Sequence, residues 1–140
     1  MSRYLFVQWS DGEKSSSRTI TVARPASYTA KDKVQFQLVV KSDYGDPKGS
    51  VWYDAGSEAR FSVATSVEGP LGIKYVFERW SGDSTATMAS VTIVMNGPKT
   101  VTAIWRTDYT MTVAIIAVIA VVAIALVVVA MKRREKATAA

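Results

Sequence analysis

Four carboxylates, Asp43, Asp46, Asp54 and Glu58, stand close together in the chain and could offer oxygens to a calcium ion. Their spacing fits no EF-hand loop, and aspartate is common in turns because its side chain bonds nearby backbone. Turn chemistry is the stronger reading, and no metal ligand is assigned. Trp52, Tyr53, Trp80 and Trp105 could form a platform for a sugar or a peptide. One face of each strand must nevertheless build the core, so these rings are expected to pack inside, with Tyr53 the one left exposed. Asp83, after Ser81 and Gly82, has the outline of a hydrolase site. The chain has no histidine and no nucleophile elbow, so acyl transfer lacks an obvious base. Asp83 is expected instead to bond backbone amides in a turn. Nothing selects a pair of carboxylates for glycoside cleavage. The chain is therefore expected not to be an enzyme, with no catalytic residue and no cofactor.

The elements that must position these residues read as strands. Gln35–Lys41 places Phe36, Leu38 and Val40 on one face at period two. Ser42–Ser50 gathers Gly, Pro, Asp and Ser as a turn does. Further strands are predicted at Val51–Tyr53, Ala59–Thr65, Tyr75–Trp80, Ser90–Met95 and Thr100–Trp105. Asn96–Lys99, "NGPK", reads as a hairpin connection between the last two. A short helix within Pro25–Lys33 is the one helical alternative before Arg106. The fold class expected is all-β: a small antiparallel sheet domain, β-sandwich-like or β-grasp-like, plus one C-terminal helix. With no cysteine, packing alone must hold it.

That C-terminal helix is Met111–Met131, which has no charge and one polar residue, Thr112. At about 1.5 Å per residue it is roughly 30 Å long, the thickness of a bilayer's hydrocarbon core. Alanines 114, 117, 120 and 123 recur at a spacing of three, whereas close helix pairing favours four. Lys132–Lys136, "KRREK", follows directly, and a short basic flank marks the cytoplasmic side. Of the net charge of +5, residues 132–140 hold +3 and residues 1–110 only +2, so the basic balance is a topology signal and no nucleic-acid partner is expected.

The chain also repeats itself. "RYLFVQWSDGE" from Arg3 is echoed by "KYVFERWSGDS" from Lys74, pairing Tyr4 with Tyr75, Phe6 with Phe77, Trp9 with Trp80 and Ser10 with Ser81. The same shift pairs Ile20, Thr21 and Val22 with Val91, Thr92 and Ile93, and a shift two residues longer pairs Ala30 with Ala103. The unit is a small repeat domain rather than a solenoid rung. Residues 36–73 have no upstream counterpart, which predicts residues 1–35 as the C-terminal half of a first β-repeat. Residues 36–108 are then a complete repeat, 109–131 a transmembrane helix and 132–140 a basic cytoplasmic tail. A half repeat leaves strand edges uncovered. Met1–Ser10 also has no apolar export segment. Both predict the C-terminal part of a longer surface protein.

Three motifs carry a family resemblance: Gly-x-x-Trp-Tyr-Asp-x-Gly at Gly49–Gly56, Phe-x-x-Trp-Ser-Gly-Asp at Phe77–Asp83, and Asn-Gly-Pro-Lys-Thr-Val-Thr-Ala at Asn96–Ala103. With these the chain resembles the divergent internalin-type B-repeats of bacterial and archaeal cell-surface proteins, well over 36–106 and more weakly over 3–38. The resemblance implies a small β-rich extracellular module near a C-terminal anchor, serving as a spacer or an adhesive binding surface. It implies no catalytic residues. The expected partners are the lipid bilayer and other cell-surface proteins or glycans. Two alternatives stand beside this reading. One is the anchoring stub of a secreted surface enzyme such as a protease, and the other is a complete tail-anchored protein with a cytosolic β-domain, which the position of "KRREK" opposes.

Overall fold

The alternation at Phe36, Leu38 and Val40 becomes the second half of a long strand in the computed structural model, which describes residues 1–139. Strand β1 is Ser2–Trp9 and β2 is Ala30–Lys41. They are followed by β3 (Trp52–Asp54), β4 (Glu58–Ser62), β5 (Ser66–Glu68), β6 (Lys74–Gly82), β7 (Ser90–Val94) and β8 (Lys99–Asp108). Helix α1 runs from Thr110 to Thr138. The protein is thus β-rich with one long helix, rather than all-β.

The chain divides into two compact units. The first holds residues 1–65 and 77–104, and the second holds residues 66–76 and those from 105 onward. In the first unit β2 pairs antiparallel with β1, from Ser2↔Phe36 to Trp9↔Ala30, with a register shift at Val7. It also pairs antiparallel with β3, Gln37 facing Trp52. Its last four residues pair with β8, Leu38↔Lys99 to Lys41↔Thr102, and this ladder is parallel. The sheet is therefore mixed, and the antiparallel expectation fails there. β8 lies between β2 and β6.

A second, two-stranded sheet is made by β4 and β7, antiparallel from Glu58↔Val94 to Ser62↔Ser90. Every other residue of β4 points inward, so Ala59 and Phe61 are buried while Arg60 is exposed. Phe61 meets Trp80 of β6 edge-on, ring centroids 4.8 Å apart at 83°. Around this contact Leu38, Val40, Val63, Met95, Val101 and Ala103 complete the core. No side chain in that core is polar or charged, and hydrophobic burial supplies its cohesion.

The expected hairpin at Asn96–Lys99 is not formed, because β7 and β8 belong to different sheets. Met95 explains why. Its side chain is fully buried, its N–H donates to the Ser57 carbonyl at 2.9 Å, and its carbonyl accepts from Gly56 N–H at 2.8 Å. Past Val94 the chain is thus still committed to the β4 side, and "NGPK" carries it across to the larger sheet. Ile20–Val22 is not a strand although its repeat partner Val91–Ile93 lies in β7. Residues 91–93 pair with residues 59–61 of β4, whereas among the described residues no strand pairs with residues 20–22. Pro25–Thr29 has no regular structure and Ala30–Lys33 begins β2, so the helical alternative there fails as well.

In the second unit β5 pairs antiparallel with the start of β6, Ser66↔Val76 to Glu68↔Lys74. A 3-10 turn at Pro70–Gly72 connects the two strands. One residue, Tyr109, separates β8 from α1. The apolar window of α1 has a mean hydropathy of 3.4 and none of it is buried against protein. A helix that is apolar all round needs a core or a bilayer about it.

Candidate functional site

The four sequence-predicted carboxylates do not converge. Asp54 is engaged by Gln35 Nε2 at 2.6 Å and by Lys33 Nζ at 3.0 Å, and these partners, Gln35 first, hold its carboxyl below the ordinary value of 3.8. Asp46 is paired with Lys48 nearby in the same turn. Among the described residues no three acidic side chains gather in a geometry for a metal ion.

The aromatic residues separate into different settings. Trp80 is fully buried, with its indole N–H donating to the Met88 carbonyl at 3.0 Å. Trp52 is half-buried beneath Arg3, whose guanidinium carbon lies 4.4 Å from the ring centroid. Arg3 also donates to Gln35 Oε1 from Nε and Nη2, at 2.9 and 2.7 Å. Arg3, Gln35, Asp54 and Lys33 thus form a polar row across β1, β2 and the end of β3. Tyr53 departs from expectation, being half-buried, with its hydroxyl within 3.4 Å of the Gly49 carbonyl and 3.3 Å of the Arg60 carbonyl. Asp83 acts as expected: its Oδ2 accepts the Thr100 N–H at 2.6 Å, and its own N–H donates to the Thr100 carbonyl at 3.0 Å. Gly82 beside it has φ +91°, and a Cβ there would lie 2.5 Å from the Thr100 oxygen. The "SGD" turn is therefore a clasp on the start of β8.

The repeat is visible atom by atom. Phe6 and Trp9 have ring centroids 5.5 Å apart at 57°, and Phe77 and Trp80 have them 5.4 Å apart at 55°. Residues three apart fall on opposite faces of a regular strand, so the register shift at Val7 is what brings Phe6 and Trp9 together. Trp9 Nε1 donates to the Ser15 carbonyl at 2.9 Å, as Trp80 does to Met88. The backbone N–H of each tryptophan donates to a carbonyl a few residues on, Glu13 for Trp9 and Ala86 for Trp80. Ser10 Oγ accepts from the Thr29 N–H at 3.2 Å, whereas Ser81 Oγ donates to the Thr102 carbonyl at 3.3 Å, so the partner positions correspond but the direction of the bond is reversed.

One difference separates the two copies. Phe61 covers Trp80, but Arg18 covers Trp9, its guanidinium carbon 5.4 Å from that ring and 4.3 Å from the Tyr28 ring. Arg18 Nη1 bonds Asp11 Oδ2 at 2.7 Å, and this contact holds the Asp11 carboxyl below 3.8. A stacked, ion-paired guanidinium thus does for the first tryptophan what a phenylalanine on β4 does for the second. It gives that end of the sheet a polar outer cover. Sequence reasoning missed Arg18, because an arginine in "KSSSRT" carries no local signal.

In the second unit the helix start is held by side chains from both sides. Asp108 Oδ1 accepts from Thr110 N–H at 2.9 Å and Thr110 Oγ1 at 2.5 Å, which keeps its carboxyl below the ordinary range. Thr112 Oγ1 donates to the Leu71 carbonyl at 2.9 Å, tying the turn at Pro70–Gly72 to α1. Glu68 and Lys74, paired at 3.0 Å, close the base of that turn and line a recess of about 450 Å³ with Gly72, Asp108, Thr110 and Met111. Asp108 and Thr110 in this recess are bonded to each other at the start of α1.

Residues 44–115, just over half of the chain, match the divergent InlB B-repeat domain. The chain belongs to that family. No curated protein and no solved structure matches it. The matched B-repeat residues take in β3 to β8 and enter the first turns of α1. β2 precedes them, yet its Leu38 and Val40 are part of the same core. The family's motif residues do structural work here. Trp80 and Asp83 fix the "WSGD" clasp, and Gly49 sits where a Cβ would lie 2.6 Å from the Arg60 carbonyl.

Proposed function

We propose that this B-repeat protein is a single-pass, membrane-anchored surface module that acts as a spacer, holding a working part of a surface protein away from the bilayer. The observation that carries the reading is α1, whose apolar run Met111–Met131 is not buried against protein and which is joined to β8 through Tyr109 alone. A helix with such a composition is stable in lipid, and a one-residue junction leaves little slack between it and the strand. The basic residues Lys132, Arg133, Arg134 and Lys136 at its end orient it with that end in the cytoplasm and the β-strands outside. The repeat, a small β-sandwich-like unit, is a part that can be added in series to lengthen a stalk.

The reading assigns no catalytic residue and takes the bilayer as the first partner. Other surface proteins or glycans would meet exposed positions such as Tyr4 in β1 and Val51 just before β3. The test uses the absence of cysteine in the chain. Single cysteines at Val51 and at Ala137 are probed in intact cells with a membrane-impermeant maleimide. Labelling of V51C without permeabilisation, and of A137C only after it, supports the reading. The opposite pattern puts the β-domain in the cytosol and overturns it.

A further inference from the structure

We infer that the turn at Pro70–Gly72 is a second membrane contact, dipping Leu71 into the interfacial layer of the same leaflet that α1 enters. The inference rests on the membrane-spanning reading of α1 and adds a site to it.

Leu71 is 81% exposed, and it has φ 55° and ψ 31°, the left-handed region that a branched, non-glycine residue visits at a cost. Nothing in the protein covers its side chain, so packing does not account for leucine in that position. The turn itself is closed from within. Gly69 N–H donates to the Ile73 carbonyl at 2.8 Å and Ile73 N–H to the Pro70 carbonyl at 3.0 Å. Between Glu68 and Lys74 the residues are Gly, Pro, Leu, Gly and Ile, with no charge and no polar side chain. The two flanking charges neutralise each other at the base, 3.0 Å apart.

The position of this uncharged tip along α1 supplies the occupant. A Cβ placed on Gly72 would lie 3.1 Å from Met111 Cβ and 3.3 Å from Ile115 Cδ1, so the turn lies against the helix over those residues. The Leu71 carbonyl accepts from Thr112 on the same stretch. Met111 begins the apolar run, and Ile115 is about 6 Å further along the axis at 1.5 Å per residue. If α1 enters lipid where its charges end, a turn resting on Ile115 is already inside the boundary. Apolar groups of interfacial segments bury about 5–10 Å into that zone. The Leu71 carbonyl, one of the backbone groups at the tip, is satisfied by the Thr112 hydroxyl. Lipid is therefore the occupant that completes Leu71.

The experiment places an environment-sensitive nitrobenzoxadiazole probe on single cysteines in the full chain, reconstituted in phosphatidylcholine nanodiscs. Three variants are compared: Leu71→Cys, Val122→Cys in the middle of α1, and Ala137→Cys beyond the basic run. Leu71 is exposed, so its replacement leaves the core untouched. The expected result is a blue-shifted emission at position 71, between those at 137 and 122. It should be quenched by a nitroxide carried near the lipid headgroup and protected from aqueous iodide relative to 137. A lipid signature at 122 with a water signature at 71 overturns the insertion while leaving the span intact. A water signature at 122 overturns the spanning reading and the insertion with it.

Discussion

Replacing Phe61 by alanine tests the account of the core most directly. The side chain is 1% exposed and lies edge-on against Trp80 at 4.8 Å. Truncating a buried phenylalanine costs about 3–5 kcal/mol once the cavity is included. Of this, the ring–ring geometry accounts for about 0.5–1.5 kcal/mol. A domain stable by about 5–15 kcal/mol would lose about a fifth or more of its margin. With a urea slope of about 1–3 kcal/mol per molar, the midpoint should fall by at least about 1 M. Phe61→Leu, which keeps most of the volume, should cost about 1.5 kcal/mol or less. Arg18→Ala, at the equivalent place over Trp9, removes a cation–π contact of about 0.5–2 kcal/mol together with a solvent-screened ion pair to Asp11. The assay is urea unfolding of the full chain in detergent micelles, followed by tryptophan near-ultraviolet circular dichroism, because α1 keeps its far-ultraviolet signal in micelles. A Phe61→Ala midpoint equal to wild type, or an Arg18→Ala loss as large as that of Phe61→Ala, would refute the assignment of the two covers.

Asp83→Ala should cost about 0.5–1.5 kcal/mol by exchanging the bond to the exposed Thr100 N–H for water, and Asp83→Asn should restore part of it; amide exchange at Thr100 reports both. Gly82→Ala should be more damaging than Gly12→Ala, since both have φ near +90° but only Gly82 has a carbonyl 2.5 Å from the added Cβ; thermal melts of the two variants decide this. Asp11, Asp54 and Asp108 all have folded pKa values below 3.8, so their contribution is present above that value and is lost as pH falls through the lower folded values. The melting temperature should therefore hold steady down to about pH 5 and decline below about pH 4, and Asp54→Asn should flatten that decline.

Much of this was legible because it depends on short spacings. Period two at Phe36, Leu38 and Val40 placed their shared face, and the uncharged run from Met111 marked the helix. Phe-x-x-Trp, occurring twice, marked the repeat. What escaped depends on partners far apart in the chain. The parallel ladder between Leu38–Lys41 and Lys99–Thr102 joins segments with no mutual signal. "NGPK" has hairpin chemistry, yet Met95 holds the chain on the other sheet. Ile20–Val22 has the pattern of a strand and remains unpaired, because strand formation needs a second strand to supply hydrogen bonds. Tyr53 is covered through carbonyls of Gly49 and Arg60, which side-chain pattern does not reveal. Leu71 was unremarkable in sequence, and only the contact of Gly72 with Met111 and Ile115 gave it a place.

The single residue between β8 and α1 has a mechanical consequence. Tension on the anchor enters the β-domain at the C-terminal end of β8, which lies between β2 and β6 rather than at an edge. A strand at the edge of a sheet can peel away one bond at a time, whereas β8 has β2 and β6 as neighbours, with the ladder to β2 and the Asp83 clasp both at its start, Lys99–Thr102. Load should therefore be resisted by several rows together, and the first structure to yield should be one other than β8.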